Sequence, residues 1–297
     1  MGIALRKKTL ATAGGGIIAI LVLISVLFPF LWLLDTGFKD YVEVFEIPPS
    51  WIPKHPTLDV FKAVLGQMAA LNLTTSGHAT ARHDPWIQYI VNSFYVGGGT
   101  AILALCFATL AGYGLARLKM PGGDLVLMVI LLSQMFPGPS ILIPLFDLME
   151  KLSLFNSYLG LILLHTAFVL PFTTWMAVGS FRAFPKEIEE AAYVDGASKT
   201  KTFLRVVLPL MLNLLATTAL FAFIMSWSEF LFALMLMKQQ SLFTVPVGLA
   251  YYVREYDVFW NEMAAAAVVV SIPVMFLFTF IQRYIVKGLT TGALSGQ

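Results

Sequence analysis

Charge is what this chain has least of: Asp, Glu, Lys and Arg make up 12% of its 297 residues, against about 25% in soluble domains. With 58% apolar residues and a mean hydropathy of +0.81, a soluble domain is excluded and an integral membrane protein is indicated. Cysteine is nearly absent. Cys106 alone permits neither an intrachain disulfide nor a cysteine-built metal site, and within its apolar segment it reads as a small core residue. The net charge of +2, with no Lys/Arg stripe interleaved with exposed aromatics, excludes a nucleic-acid partner. No G-x-x-x-x-G-K-[ST] sequence occurs, and the glycine clusters at 14–16 and 97–99 lack the lysine that would hold a nucleotide's phosphates. The chain is therefore expected to hydrolyse no ATP and to hold no cofactor itself.

What remains is long apolar runs. A hydrocarbon core of about 30 Å takes roughly 20 apolar residues as helix. Six such segments lie near residues 14–36, 90–116, 124–147, 158–181, 210–237 and 263–286. They are too long and continuous for barrel strands, and in lipid only a helix satisfies its own backbone. The expected fold is an all-α polytopic membrane protein of six transmembrane helices. Arg6, Lys7 and Lys8 precede the first run, but no small-residue cleavage site follows it, so a retained helix is expected rather than a signal peptide. Twelve cations gather at the N-terminus, 117–123, 182–209 and the C-terminal end, while the opposite side holds seven, four of them spread over 37–89. Both termini are thus expected in the cytoplasm.

The parts divide accordingly. Residues 1–36 form a cytoplasmic stub and first span, 37–89 an external subdomain, 90–286 a five-helix core with a cytoplasmic loop at 182–209, and 287–297 a cytoplasmic tail whose glycines read as flexible. In the external segment Thr57 can cap a short helix with Leu58, Phe61, Val64 and Leu65 on one face, stopped by Gly66. His55, His78 and His83 match no metal-ligand spacing, so no metal site is expected.

The cytoplasmic loop reads "EEAAYVDGASKTKTFLRVVLP" over 189–209. Pro185 suits the first turn of a helix from about Lys186 to Asp195, and Gly196 supplies a left-handed stop. At 100° per residue Ile188, Ala191, Ala192 and Asp195 make one stripe, whose alanines admit close approach by a partner. Glu187, Glu190, Tyr193 and Val194 lie opposite. Ser198 can cap a second helix carrying Phe203, Val206, Val207 and Leu210, which runs into the fifth span. Ordering such a loop costs entropy unless something packs on it.

Glu190-Ala191-Ala192, three residues, Gly196, nine residues and Val206-x-Leu208-Pro209 resemble the EAA loop of ABC importer permeases, with Val206 in place of isoleucine. "SQMFPGPSILIPLF", "LFNSYLGLIL", "SWSEFLFAL" and "IPVMFLFTFIQRYIVKGLTTGALSG" are similar to the MalG-type subfamily of carbohydrate importer permeases. That resemblance implies a type I ABC importer transmembrane domain. It also implies a homologous second permease, two ABC ATPase subunits binding ATP and Mg, an extracytoplasmic solute-binding protein and a di- or oligosaccharide cargo such as maltose, maltodextrin or trehalose. Carried over, the ATPase-coupling positions are Glu190, Ala191, Ala192, Asp195 and Gly196.

Glu229 is the one acidic residue well inside an expected span, where an unpaired carboxylate costs about 2.5–3.5 kcal/mol, so it should face protein or water. On a helix it shares a face with Ala222, Met225, Ser226, Phe232, Ala233 and Leu236. That mixture of polar groups and an aromatic ring suits either a sugar pathway or a structural tie. Gln134 precedes Pro137 and Pro139, which bend or break the third span. In the fourth, His165, Thr166, Thr173, Thr174 and Trp175 surround Pro171. Glu229, Ser226, Phe232, Gln134, Thr166 and Thr173 are the pathway candidates, although threonines commonly bond back to their own helix and His165 reads as an interhelical tie. A self-contained secondary transporter or channel, with Glu229 as ion-linked carboxylate, is the alternative. It would be expected to show internal repeats and further intramembrane charge, and neither is found.

Overall fold

The computed structural model describes residues 2–65, 85–118, 121–253 and 258–294. Gly66, His78, His83 and Lys119 lie outside these. Apart from an isolated bridge between Val253 and Val258, the described residues hold no β-structure. Two compact units emerge: residues 1–86 with 249–273, and residues 87–248 with 274–297.

In the first unit α1 (Gly2–Phe38) exposes its apolar side chains from Ile18 to Leu31. It begins earlier than the expected 14–36. Its far end is anchored, since a Cβ on Gly37 would stand 2.9 Å from the Phe61 ring and 3.2 Å from the Ala265 backbone. Phe61 belongs to α3 (Asp59–Val64), whose first amide donates to Thr57 Oγ1 at 3.1 Å. Of that helix's expected apolar face, Val64 is buried while Leu58 and Leu65 are exposed. Between them lies α2 (Tyr41–Val44). Glu43, buried on α2, accepts from Ser50 Oγ at 2.7 Å and the Lys54 amide at 2.8 Å. Buried Lys39 donates to Ser50 O at 2.6 Å, pairs with Asp35 and lies 4.7 Å from the Trp32 ring centroid. The segment after α1 is thus held by polar bonds together with ring contacts, Trp32 with Trp51 at 5.5 Å and Phe38 with Phe61 at 4.9 Å.

In the second unit the central contact is made by small residues. Along α4 (Trp86–Arg117), Gly97, Ala101, Ala104, Ala108 and Gly112 form one stripe against α7 (Tyr158–Ala183) and α11 (Leu212–Trp227). A Cβ on Gly112 would meet Ala177 Cβ at 2.6 Å, and one on Gly97 would meet the Phe223 ring at 3.0 Å. Where lipid is as apolar as leucine, small residues rather than large ones mark a helix interface. Cys106 corrects the expectation of a core position. It is exposed, two residues from buried Ala104 and Ala108 and so on the opposite side of the helix.

Among the described residues four helices are long and apolar enough to cross a membrane, and up to six spans result when each of two broken pairs is taken as one. The third span is α5 (Gly123–Leu132) and α6 (Leu142–Lys151), with short 3₁₀ turns between them and an 88° bend. Pro137 and Pro139 cause the break: Phe136 is extended, as a residue before proline tends to be, and Pro137 itself, which has no amide to donate, is extended too. The fifth departs from the expected single helix over 210–237. It comprises α9 (Lys199–Thr202), a π-helical turn (Phe203–Val207), α10 (Leu208–Leu210) and α11, bent by 74°. The helix stops at Trp227 and resumes as α12 (Leu231–Leu236). Pro209 removes a backbone donor just after the π turn, which gives the local rearrangement a cause. Of the face expected there, Phe203 and Val207 are buried while Leu210 is exposed, and Thr202, Met211 and Leu215 are buried as well. The sixth span, α13 (Trp260–Leu294), stays helical past the expected end at 286 into the stretch read as flexible.

Candidate functional site

The loop between the fourth and fifth spans folds as its residues dictate. Pro185 precedes α8 (Lys186–Val194), and Gly196 ends it at φ +81°. The Gly196 amide donates to Tyr193 O and the Ala197 amide to Ala192 O, both at 3.0 Å, so the stop is a Schellman turn. Ser198 then caps α9, accepting from the Lys201 amide at 3.4 Å.

The faces of α8 are sharper than the sequence indicated. Glu189 is its one buried side chain, at 5% exposure, with Ala192 half-buried beside it. Ile188, Glu190, Ala191, Asp195 and Gly196 are exposed, as are Glu187 and, at 88%, Val194. Most of the alanine stripe therefore faces outward, and so does Val194, which the sequence placed opposite. What faces inward was missed: Arg117 Nε donates to Glu189 Oε1 at 2.6 Å, Arg117 Nη2 to Phe184 O at 2.6 Å, and Tyr113 OH to Glu189 Oε2 at 3.1 Å. The Tyr113 ring packs on Phe203 of the π turn at 4.4 Å and on Phe181 at 5.5 Å. Two adjacent glutamates in a short helix give no sequence signal of which points in.

The intramembrane candidates divide. Buried His165 on α7 binds Ser226 Oγ through Nδ1 at 2.6 Å and Glu229 Oε2 through Nε2 at 3.0 Å, and Ser226 Oγ donates to Thr100 Oγ1 at 3.3 Å. Glu229 also accepts the amides of Phe232 at 2.9 Å and Ala233 at 3.1 Å, so its carboxylate caps α12. Its expected helical face is interrupted there: Ala222, Ser226, Phe232, Ala233 and Leu236 are buried but Met225 is exposed. Phe232 packs on Phe168 at 4.4 Å, and Gln134 Nε2 donates to Phe168 O at 2.9 Å. Thr173 bonds back to Val169 O and Leu170 O, while buried Thr166 Oγ1 has no hydrogen-bond partner. Ser226, Glu229, Phe232 and Gln134 thus meet around α7, and Thr173 turns into its own helix. A groove lined by Asp124, Leu127, Met128, Leu131, Leu132 and Trp175 contains none of them. Among the described residues no three of His, Cys, Asp and Glu converge as metal ligands, and His55 is exposed.

A helical chain of up to six candidate spans, two of them broken, with a helix–glycine–helix loop presenting one open face, has the architecture of a polytopic membrane protein. The chain belongs to the binding-protein-dependent transport system inner membrane component family, which it matches over residues 104–291. It is 34% identical over 280 residues to the sulfoquinovosyl glycerol transport system permease protein SmoH of Agrobacterium fabrum, covering 94% of this chain and 93% of that one. It is 33% identical over 280 residues to the trehalose/maltose transport system permease protein MalG of Thermococcus litoralis, covering 94% and 95%. Its fold is similar to a chain in the crystal structure of a bacterial ABC transporter that imports the acidic polysaccharide alginate. There the TM-score is 0.72, at 19% identity, with 94% of this chain and 98% of that one covered.

Proposed function

We propose that this chain is the transmembrane permease subunit of an ATP-driven sugar importer, forming half of the translocation pathway and coupling through α8 to a separate ATPase. The observation that carries the reading is the outward face of α8. Glu190, Ala191 and Val194 are exposed on a helix stopped by a Schellman turn, in a chain matched along nearly its whole length by sugar-system permeases. Ala191, a small residue in that face, lets another protein's backbone approach closely. Both termini and this loop would be cytoplasmic, a homologous permease would supply the other half of the pathway, and an extracytoplasmic binding protein would deliver cargo. ATP and Mg would be bound by the ATPase pair.

The cargo is proposed to be a di- or oligosaccharide of the maltose, maltodextrin or trehalose kind. Glu229, Ser226, Phe232 and Gln134 supply acceptors, donors and an aromatic surface near one another, which is the chemistry a sugar's hydroxyls and ring face require. The complex with the second permease, the ATPase and the binding protein, reconstituted in liposomes, should import one member of a sugar panel with ATP hydrolysis. Import by this chain alone, or a stable complex that excludes the ATPase, would refute the reading.

A further inference from the structure

α8 has no apolar anchor. Its single buried side chain is a carboxylate, Glu189, and that carboxylate is met by Arg117, the last residue of the 32-residue helix α4. Both side chains are almost wholly out of solvent, at 8% and 6% exposure. The Arg117 fork is divided between two elements, with Nε on Glu189 and Nη2 on the carbonyl of Phe184, at the end of α7. Tyr113, one turn back on α4, gives Glu189 its second bond and packs on Phe203, so the π turn that leads into the fifth span joins the same knot. A buried ion pair adds little to stability compared with apolar residues of similar size, and its best-attested role is to fix one register. Here it fixes the orientation of α8 relative to the ends of α4 and α7.

We propose that Arg117 and Glu189 are positioning residues of the docking loop: together they make α8 and α4 one lever, so that displacement of α8 reaches the membrane helices through this pair. This rests on the reading that α8 docks an ATPase. A guanidinium can hold Glu189 and Phe184 O at once because its donors form a rigid fork, which a lysine ammonium on a flexible stem does not reproduce.

Cys106, exposed on α4, offers a built-in reporter. The full importer complex is labelled there with an environment-sensitive maleimide dye and compared without nucleotide and with MgATP plus orthovanadate. The unaltered complex should show a nucleotide-driven change in dye emission. Arg117→Lys and Glu189→Gln should keep the ATPase bound at unchanged stoichiometry while that change shrinks by about ten-fold or more. The double variant should be no worse than either single one, because the two groups act as a unit. Should either variant fail to assemble, Tyr113→Phe, which removes the hydroxyl's bonds to Glu189 and Tyr193 and leaves the ion pair, should give a partial loss of the dye response. The proposal is overturned if the response stays at full size in the variants, is absent from the unaltered complex, or disappears only in proportion to lost ATPase. Failure of the unaltered chain to bind any ATPase would instead refute the docking reading itself.

Discussion

His165 and Glu229 meet at 3.0 Å across 64 residues of sequence, and the same carboxylate receives two amides at the start of α12. One side chain therefore does two structural jobs. It satisfies a buried imidazole on α7 and caps the helix that resumes after the break at 228–230. Glu229→Ala removes both, and a lost cap together with lost charge-assisted hydrogen bonds should cost about 2–4 kcal/mol. Thermal unfolding of the purified protein in detergent should show this loss, and Glu229→Gln, which keeps an acceptor for the amides, should lose less. Equal losses for the two would show that the capping account is wrong.

Gly196 stands at φ +81°, where a β-branched residue is strained whatever the space around it. With nothing within 4 Å of an added Cβ, backbone conformation is the whole objection. Gly196→Val should weaken the turn by about 1–2 kcal/mol and uncouple or release the ATPase, whereas Gly196→Asn, which tolerates the left-handed region, should retain most ATP-driven uptake. Uptake at normal levels by the valine variant would remove the turn from the docking role.

Glu43 makes the stability of the folded chain depend on pH. Burial acts to raise its pKa, but the Lys54 amide, the Ser50 hydroxyl, the His55 amide and the nearby Lys39 charge outweigh that and hold it below the ordinary 4.5. A carboxyl lowered by folding contributes stability above its unfolded pKa and loses that contribution as pH falls through the folded value. The melting temperature should therefore drop as the buffer goes from about pH 5 to below 4, and the drop should be shallower in Glu43→Gln. Parallel curves for the two proteins would place the acid sensitivity elsewhere.

How much of this was legible follows from the range of each interaction. The loop over 182–209 is written in local terms: Pro185, Gly196 and Ser198 each act within a few residues, and the structure places a start, a stop and a cap where they predict them. The third-span break is local too, since two prolines suffice. The stop at Trp227 is not marked by glycine or proline, and Glu229 holds the new start by reaching α12 and His165. The pair of Arg117 with Glu189 spans 72 residues, beyond any periodicity argument. Cys106 was misplaced for another reason. Apolar residues line both sides of a membrane helix, so hydrophobicity carries no phase, and the spacing of Gly97, Ala101, Ala104, Ala108 and Gly112 carried it instead.

That stripe can be tested at its tightest point. A Cβ on Gly112 would lie 2.6 Å from Ala177 Cβ and 3.1 Å from the backbone of Ala177 and Val178, so it meets backbone and a side chain with no flexible end to yield. Gly112→Ala must push α4 from α7, and overpacking of this kind costs about 1–3 kcal/mol. Gly114, two residues on, has nothing within 4 Å of an added Cβ. There alanine meets no obstacle and gains about 0.5–1 kcal/mol in helix preference over glycine. The two substitutions are chemically identical and differ only in phase around the helix, so their unfolding midpoints in detergent should move in opposite directions. A matching shift for both would mean that α4 does not present this face to α7.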